Sequence, residues 1–159
     1  MPATDEPIVL PAGIRLIDYD EKYAEATVAM WRDSKQKALG IPEIHSFSDH
    51  VYFLNQILAP ANRSYLAMTA SDEVVGFMAT DGVFLNQLYI HPDYQSRGIG
   101  SALVALAKEL STGSLRLYTF EVNLPAQRFY EKHGFEMVSR GSDNEEQLPD
   151  ILYQWRRQD

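Results

Sequence analysis

Apolar and polar residues first alternate with a period of two. In GIRLIDYD, Ile14 and Leu16 are flanked by polar neighbours and followed by turn-prone Asp18 and Asp20, which predicts a strand. The period then lengthens. Tyr23, Ala26, Thr27, Met30, Trp31 and Ser34 share one helical face, predicting a helix over 21–39 that Gly40 and Pro42 stop. Ser48 is placed to cap a second helix, with Val51, Leu54 and Leu58 inward and Pro60 at its end. SYLAMTA (64–70) and VVGFMAT (74–80) surround the short turn SDE as a hairpin, and 83–90 forms a third successive strand.

Beyond that strand the helical period returns. Leu103, Leu106, Ala107 and Leu110 mark the core side of a helix opening at Gly98 and ending near Gly113. SLRLYTFEV (114–122) reads as a strand, and Pro125 suits the first turn of a helix that runs to His133, where Gly134 ends it. Phe135 to Arg140 and Ile151 to Arg156 are closing strands around the polar loop GSDNEEQLPD. The order β-α-α-β-β-β-α-β-α-β-β predicts a single mixed α/β sheet. Residues 1–12, with three prolines, read as a flexible lead-in, and 13–159 as one domain.

Composition narrows the classes. A chain of 159 residues buries about two-thirds of its unfolded surface as one domain. No apolar run approaches the roughly 20 residues that span a bilayer, so no membrane partner is expected. MPATDEPIVLPAG lacks a basic region followed by an apolar core, so no secretory signal is expected. With no cysteine there is neither disulfide nor thiolate chemistry, and the cytoplasm is the expected compartment. A net charge of −8 speaks against nucleic acid and suits a cationic substrate. No histidine pair has the spacing of a zinc site, so no metal is expected.

The chemistry concentrates in QSRGIGS (95–101), between a strand and a helix. Unpaired N–H groups at a helix start favour an anion, and Gly98 and Gly100 remove the side chains that would hold a diphosphate away. A helix start needing glycine only for packing is the alternative. A P-loop is excluded because no lysine follows Gly100. A dinucleotide fingerprint wants a third glycine where Leu103 stands, although Glu121 lies near the position for a ribose contact.

LNQLYIHPDYQSRGIGSALVALAKEL resembles motif A of the GNAT superfamily of N-acetyltransferases, with Gln95, Gly98 and Gly100 on its [QR]-x-x-G-x-[GA] core. NLPAQRFYEKHGF resembles motif B, with Asn123, Ala126, Phe129, Tyr130, Gly134 and Phe135 at its spacing. The resemblance implies the GNAT fold and acetyl-CoA as co-substrate. It assigns the diphosphate to Gln95, Ser96, Arg97, Gly98, Ile99, Gly100 and Ser101. The pantetheine arm would pair with exposed backbone of Leu88, Tyr89 and Ile90, in a gap where that strand parts from 114–120. Asn123 would bond the arm, Ala126 would leave it room, and Tyr130 would be the general acid aimed at the sulfur.

An amine attacking a thioester must lose a proton, and both the oxyanion and the leaving thiolate need donors. Phe84 and Asn86 stand where some members carry a base, and neither takes a proton. Glu121, Glu145, Glu146, a water chain or bulk solvent are the base candidates. Trp31, His45, Asn86, Glu121, Asn144 and Glu145 are candidates for the acceptor side, Trp31 doubling as a core anchor. The expected reaction is direct acetyl transfer to a primary amine of a small molecule. A protein or peptide amine, and a non-catalytic acyl-CoA-binding sensor, are the alternatives. A homodimer through edge strands is a further expectation.

Overall fold

The computed structural model describes residues 8–158. Most of the expected lead-in, residues 1–7, lies outside the described residues. Residues 8–12 form no regular element, and Pro11 O accepts from Ile14 N at 3.2 Å as β1 (Ile14–Asp18) begins. A 3₁₀ turn (Glu21–Tyr23), capped by Asp20, leads into α1 (Ala24–Leu39), which Gly40 ends in the left-handed region at φ 66°. The tighter turn rotates the helical phase. Ala24 and Val28 therefore join Thr27, Met30, Trp31 and Ser34 on the buried face, and the expected Ala26 is exposed.

The cap of α2 (Phe47–Phe53) is Ser46, not the expected Ser48. Its hydroxyl accepts from Asp49 N at 3.1 Å. The helix continues through a π turn (Leu54–Leu58) into α3 (Ala59–Ala61). Strands β2 (Arg63–Thr69), β3 (Val74–Thr80) and β4 (Leu85–Ile90) follow as two antiparallel hairpins, with β1 on the far side of β2. All of β3 is buried, as a central strand covered on both faces requires. One face meets α1 and α2 through Val28, Trp31, Leu54, Leu66 and Phe77. The other meets α4 (Ile99–Leu110) through Ala67, Val75, Ile99 and Leu103.

Strand β5 (Ser114–Phe120), α5 (Leu124–Lys132), β6 (Glu136–Gly141) and β7 (Asp150–Arg156) complete the chain. Here the expected single sheet divides. β7 inserts between β5 and β6, giving a second antiparallel sheet in the order β5-β7-β6. The two sheets meet at one parallel bridge, Phe84 to Arg116, where Arg116 N donates to Val83 O at 3.0 Å. The pairing jumps from Thr80–Leu85 to Ala79–Gln87, leaving Asn86 as an extra residue beside that bridge. Such a bulge bends its strand, and past it β4 follows β3 while β5 follows β7. Past that bridge β4 and β5 are unpaired among the described residues, and the cleft between them is the candidate site.

Candidate active site

At the open end of the cleft, β4 gives way to a 3₁₀ turn (Pro92–Tyr94) and then to α4. Gln95 Nε2 donates to Ile90 O at 3.2 Å and closes this turn. Ser96 and Gly98 take the left-handed region at φ 64° and 96°. That path rolls the backbone so that successive N–H groups face outward. Among the described residues the N–H groups of Arg97, Gly98, Ile99, Gly100 and Ser101 meet no acceptor, and no side chain caps α4. A diphosphate matches that need. The guanidinium of Arg97 lies over the Tyr94 ring at 5.1 Å. Gly100 also serves packing, because a Cβ there would stand 3.1 Å from Phe129 Cζ. Packing therefore accounts for the glycine at 100, and the left-handed backbone for the glycine at 98. Ser101 Oγ lies 3.1 Å from His133 Nε2.

The cleft walls carry two phenols. Tyr130, on α5, packs among Phe129, Phe135 and Tyr153 and is 9% exposed. Its hydroxyl makes no hydrogen bond among the described residues. Burial, then the nearby Tyr89 phenol, raises it well above the ordinary tyrosine range, so it stays an O–H donor. Tyr89 reaches to the opposite face from Leu88 and Ile90 and stacks on Trp31 at 5.1 Å. Burial pushes Tyr89 up to about 12, against hydrogen bonding from Trp31, and the Glu146 and Glu43 carboxylates add to the rise. Asn123 caps α5, its Oδ1 accepting from Ala126 N at 3.2 Å, so the residue shapes the cleft wall through its own helix.

Trp31 heads the candidates for the acceptor side. Trp31 is a core residue, stacked on Phe77 at 5.6 Å and met edge-on by His50 at 4.4 Å. Burial first, then the charges of Arg32, Lys35 and His45, lower the His50 imidazole to about 4, so it is neutral at pH 7. The loop between β6 and β7 closes on this region. Lys35 Nζ pairs with Glu146 Oε2 at 2.6 Å, and His45 Nε2 with Glu145 Oε2 at 2.9 Å.

The structure separates the remaining acceptor-side candidates. Asn144 is used inside its loop, exchanging bonds with Leu148 and donating to Asp150 Oδ2 at 3.0 Å. Glu121 is paired with Arg140 at 2.8 Å. Asn86, the bulged residue, donates to Asn62 and Asp81. Sequence reasoning missed Lys35 and the Tyr89 side chain. The one available signal for Lys35 was its place one helical turn after Trp31. Among the described residues no cluster of metal-ligating side chains occurs, and no helix is long and apolar enough to cross a membrane.

Comparison with known proteins agrees with the fold. The family described as Acetyltransferase (GNAT) domain matches residues 60–137. The peptidyl-lysine N-acetyltransferase YjaB of Salmonella typhimurium is 34% identical over 121 residues, covering 73% of this chain and 79% of that protein. YiaC of Escherichia coli K12, also a peptidyl-lysine N-acetyltransferase, is 30% identical over 96 residues, covering 60% and 65%. The solution structure of apo YjaB from E. coli superposes with a TM-score of 0.73 at 24% identity, covering 89% and 97%. The Salmonella typhimurium acetyltransferase yncA, solved with acetyl-CoA, superposes at 0.66 with 15% identity, covering 91% and 94%. The chain belongs to the GNAT family of acetyltransferases, enzymes that draw their acyl group from acetyl-CoA.

Proposed function

We propose that this enzyme moves the acetyl group of acetyl-CoA to the side-chain amine of a lysine within a protein. The sequence put a small-molecule amine first. What favours the protein substrate is that the β5-β7-β6 sheet is uncovered on the acceptor side, with Tyr118 60% exposed and β6 exposed along its length. A long chain can lie there, whereas a small amine gains little from an open surface. The relatives named as peptidyl-lysine acetyltransferases support the same reading.

The chain's residues divide the work. The N–H groups of Arg97 to Ser101 hold the diphosphate, and the free edge of β4 from Leu88 to Ile90 pairs with the pantetheine amides as a strand would. Glu146, the carboxylate whose field reaches Tyr89, orients the acceptor ammonium and takes its proton through water. The neutral amine nitrogen bonds to the thioester carbon, the C–S bond breaks, and the Tyr130 hydroxyl donates its proton to the departing sulfur, while the nitrogen returns its own extra proton to that phenolate through water, leaving the amide, the free thiol of CoA and a neutral Tyr130. No covalent enzyme intermediate is required.

Incubation with acetyl-CoA and lysine-containing peptides, read by thiol release and by mass spectrometry, tests this. Acetyl-lysine is expected, at rates exceeding those for polyamines and amino sugars. Faster transfer to the small amines would restore the small-molecule reading. Binding of acetyl-CoA without thiol release from any amine would make the chain a sensor.

A further inference from the structure

The uncovered face of the β5-β7-β6 sheet holds a groove of about 410 Å³, within the range of pockets that take organic groups. Tyr118, Phe120 and Leu152 supply its apolar lining, and Asp143, Asp150 and Arg140 its charge. Tyr118 stacks on Phe84 at 6.1 Å, which carries the groove across to β4. The loop that contributes Asp143 also carries Glu146 to Lys35 and the acceptor end. The groove and the acceptor-side candidates therefore share one loop, that between β6 and β7.

Asp150 sets the chemistry. It is 8% exposed, and its Oδ2 accepts from Asn144 Nδ2 at 3.0 Å. Among the described residues no donor meets Oδ1. A Cβ at position 141 would stand 3.4 Å from that oxygen, so Gly141 leaves the approach to it clear. Gly141 does not have positive φ, so its backbone does not demand glycine. Arg140, the one cation lining the groove, is engaged by Glu121 at 2.8 Å. A carboxylate oxygen that meets no donor among the described residues and opens to the groove from a mostly buried residue, beside two aromatic rings, suits a guanidinium on an aliphatic stem.

We propose that this groove is a specificity subsite for an arginine flanking the acceptor lysine. The Asp150 carboxylate receives its guanidinium, Asp143 adds attraction at the rim, and Tyr118 and Phe120 pack its stem. The proposal rests on the peptidyl-lysine reading above and names the sequence context which that reading leaves open.

The test uses a short peptide in which arginine neighbours an Nε-acetyl-lysine, so that it binds without accepting, and its twin with citrulline for arginine. Titration into the full-length ¹⁵N-labelled protein is expected to shift the amides of Thr119, Gly141 and Asp150. The arginine peptide should bind at least about 10-fold more tightly. Asp150→Asn should reduce that preference to under about 2-fold. Gly141→Val blocks the same approach without altering the Asn144 bond, and should do likewise if Asp150→Asn fails to fold. Equal binding of the two peptides to the wild type, or a preference surviving Gly141→Val, overturns the subsite. Acetylation of unflanked lysine peptides is read separately. Transfer without arginine preference defeats the subsite alone, and arginine-selective binding without transfer defeats the proposed reaction alone.

Discussion

Lys35 Nζ and Glu146 Oε2 stand 2.6 Å apart and join α1 to the loop between β6 and β7 across 111 residues of chain. The carboxylate is only 10% exposed, so this is not a solvated surface pair. Removing one partner leaves the other charge poorly solvated. Glu146→Gln is expected to lower kcat about 10²-fold and raise the KM for the acceptor about 10-fold while leaving that for acetyl-CoA within about 2-fold. A double-mutant cycle with Lys35→Met should show coupling of about 1–2 kcal/mol in thermal stability. Additive effects would mean that the pair does not hold the loop.

Tyr130 gives a cleaner test of chemistry than of stability. Its ring is packed on three sides, but its hydroxyl makes no hydrogen bond with the described protein. Tyr130→Phe should leave Tm within about 2 °C and lower kcat about 10²–10³-fold, the span of a lost proton donor. Steady-state kinetics over pH 6–9 would show it, and unchanged turnover would remove Tyr130 from the mechanism.

Gly100 touches that site through packing. Gly100→Ala would bring a methyl group to 3.1 Å from Phe129 Cζ, and Phe129 lies edge-on to Tyr130 at 5.2 Å. The ring must move, at a cost of about 1–3 kcal/mol in stability. Affinity for acetyl-CoA should fall about 10-fold if the same turn receives the diphosphate, as proposed. Calorimetry with CoA measures the affinity, and unaltered binding would show that the turn does not receive the coenzyme.

His50 makes stability depend on pH in a defined window. Its folded pKa is lowered to about 4 from the ordinary 6.5. Between those values the unfolded chain binds a proton that the folded chain refuses, so stability falls as pH drops from about 6.5 toward 4. Solvent screening at a partly exposed ring limits the effect to about 1 kcal/mol. Thermal melts of wild type and His50→Phe between pH 4.5 and 7 should converge at the acid end. Parallel curves would assign the acid sensitivity elsewhere.

Much of the local geometry of the candidate site was legible because its determinants are local. A helix start that presents bare N–H groups needs Gly98 within a few residues of Gly100, and Asn123 caps the helix that carries Tyr130 seven residues later. The Ser46 cap was readable too, since Ser46 and Asp49 form a capping pattern, yet Ser48 was the more obvious choice beside the apolar run. Asn144 and Glu121 looked free along the chain. They are engaged by Asp150 and Arg140, partners brought in by the register of β6 against β7.

Element order and a glycine turn ahead of a bare helix start follow from the sequence alone, because periodicity, capping and glycine placement act over one or two turns of chain, and the resemblance of two short motifs already pointed to the acetyltransferase family. The division of the sheet, the pairing of Lys35 with Glu146 and the open approach to Asp150 were decided only in three dimensions. They depend on which edge of β5 receives β7 and how far β4 bends at Asn86, and such long-range pairings leave no periodic trace in the residues that make them.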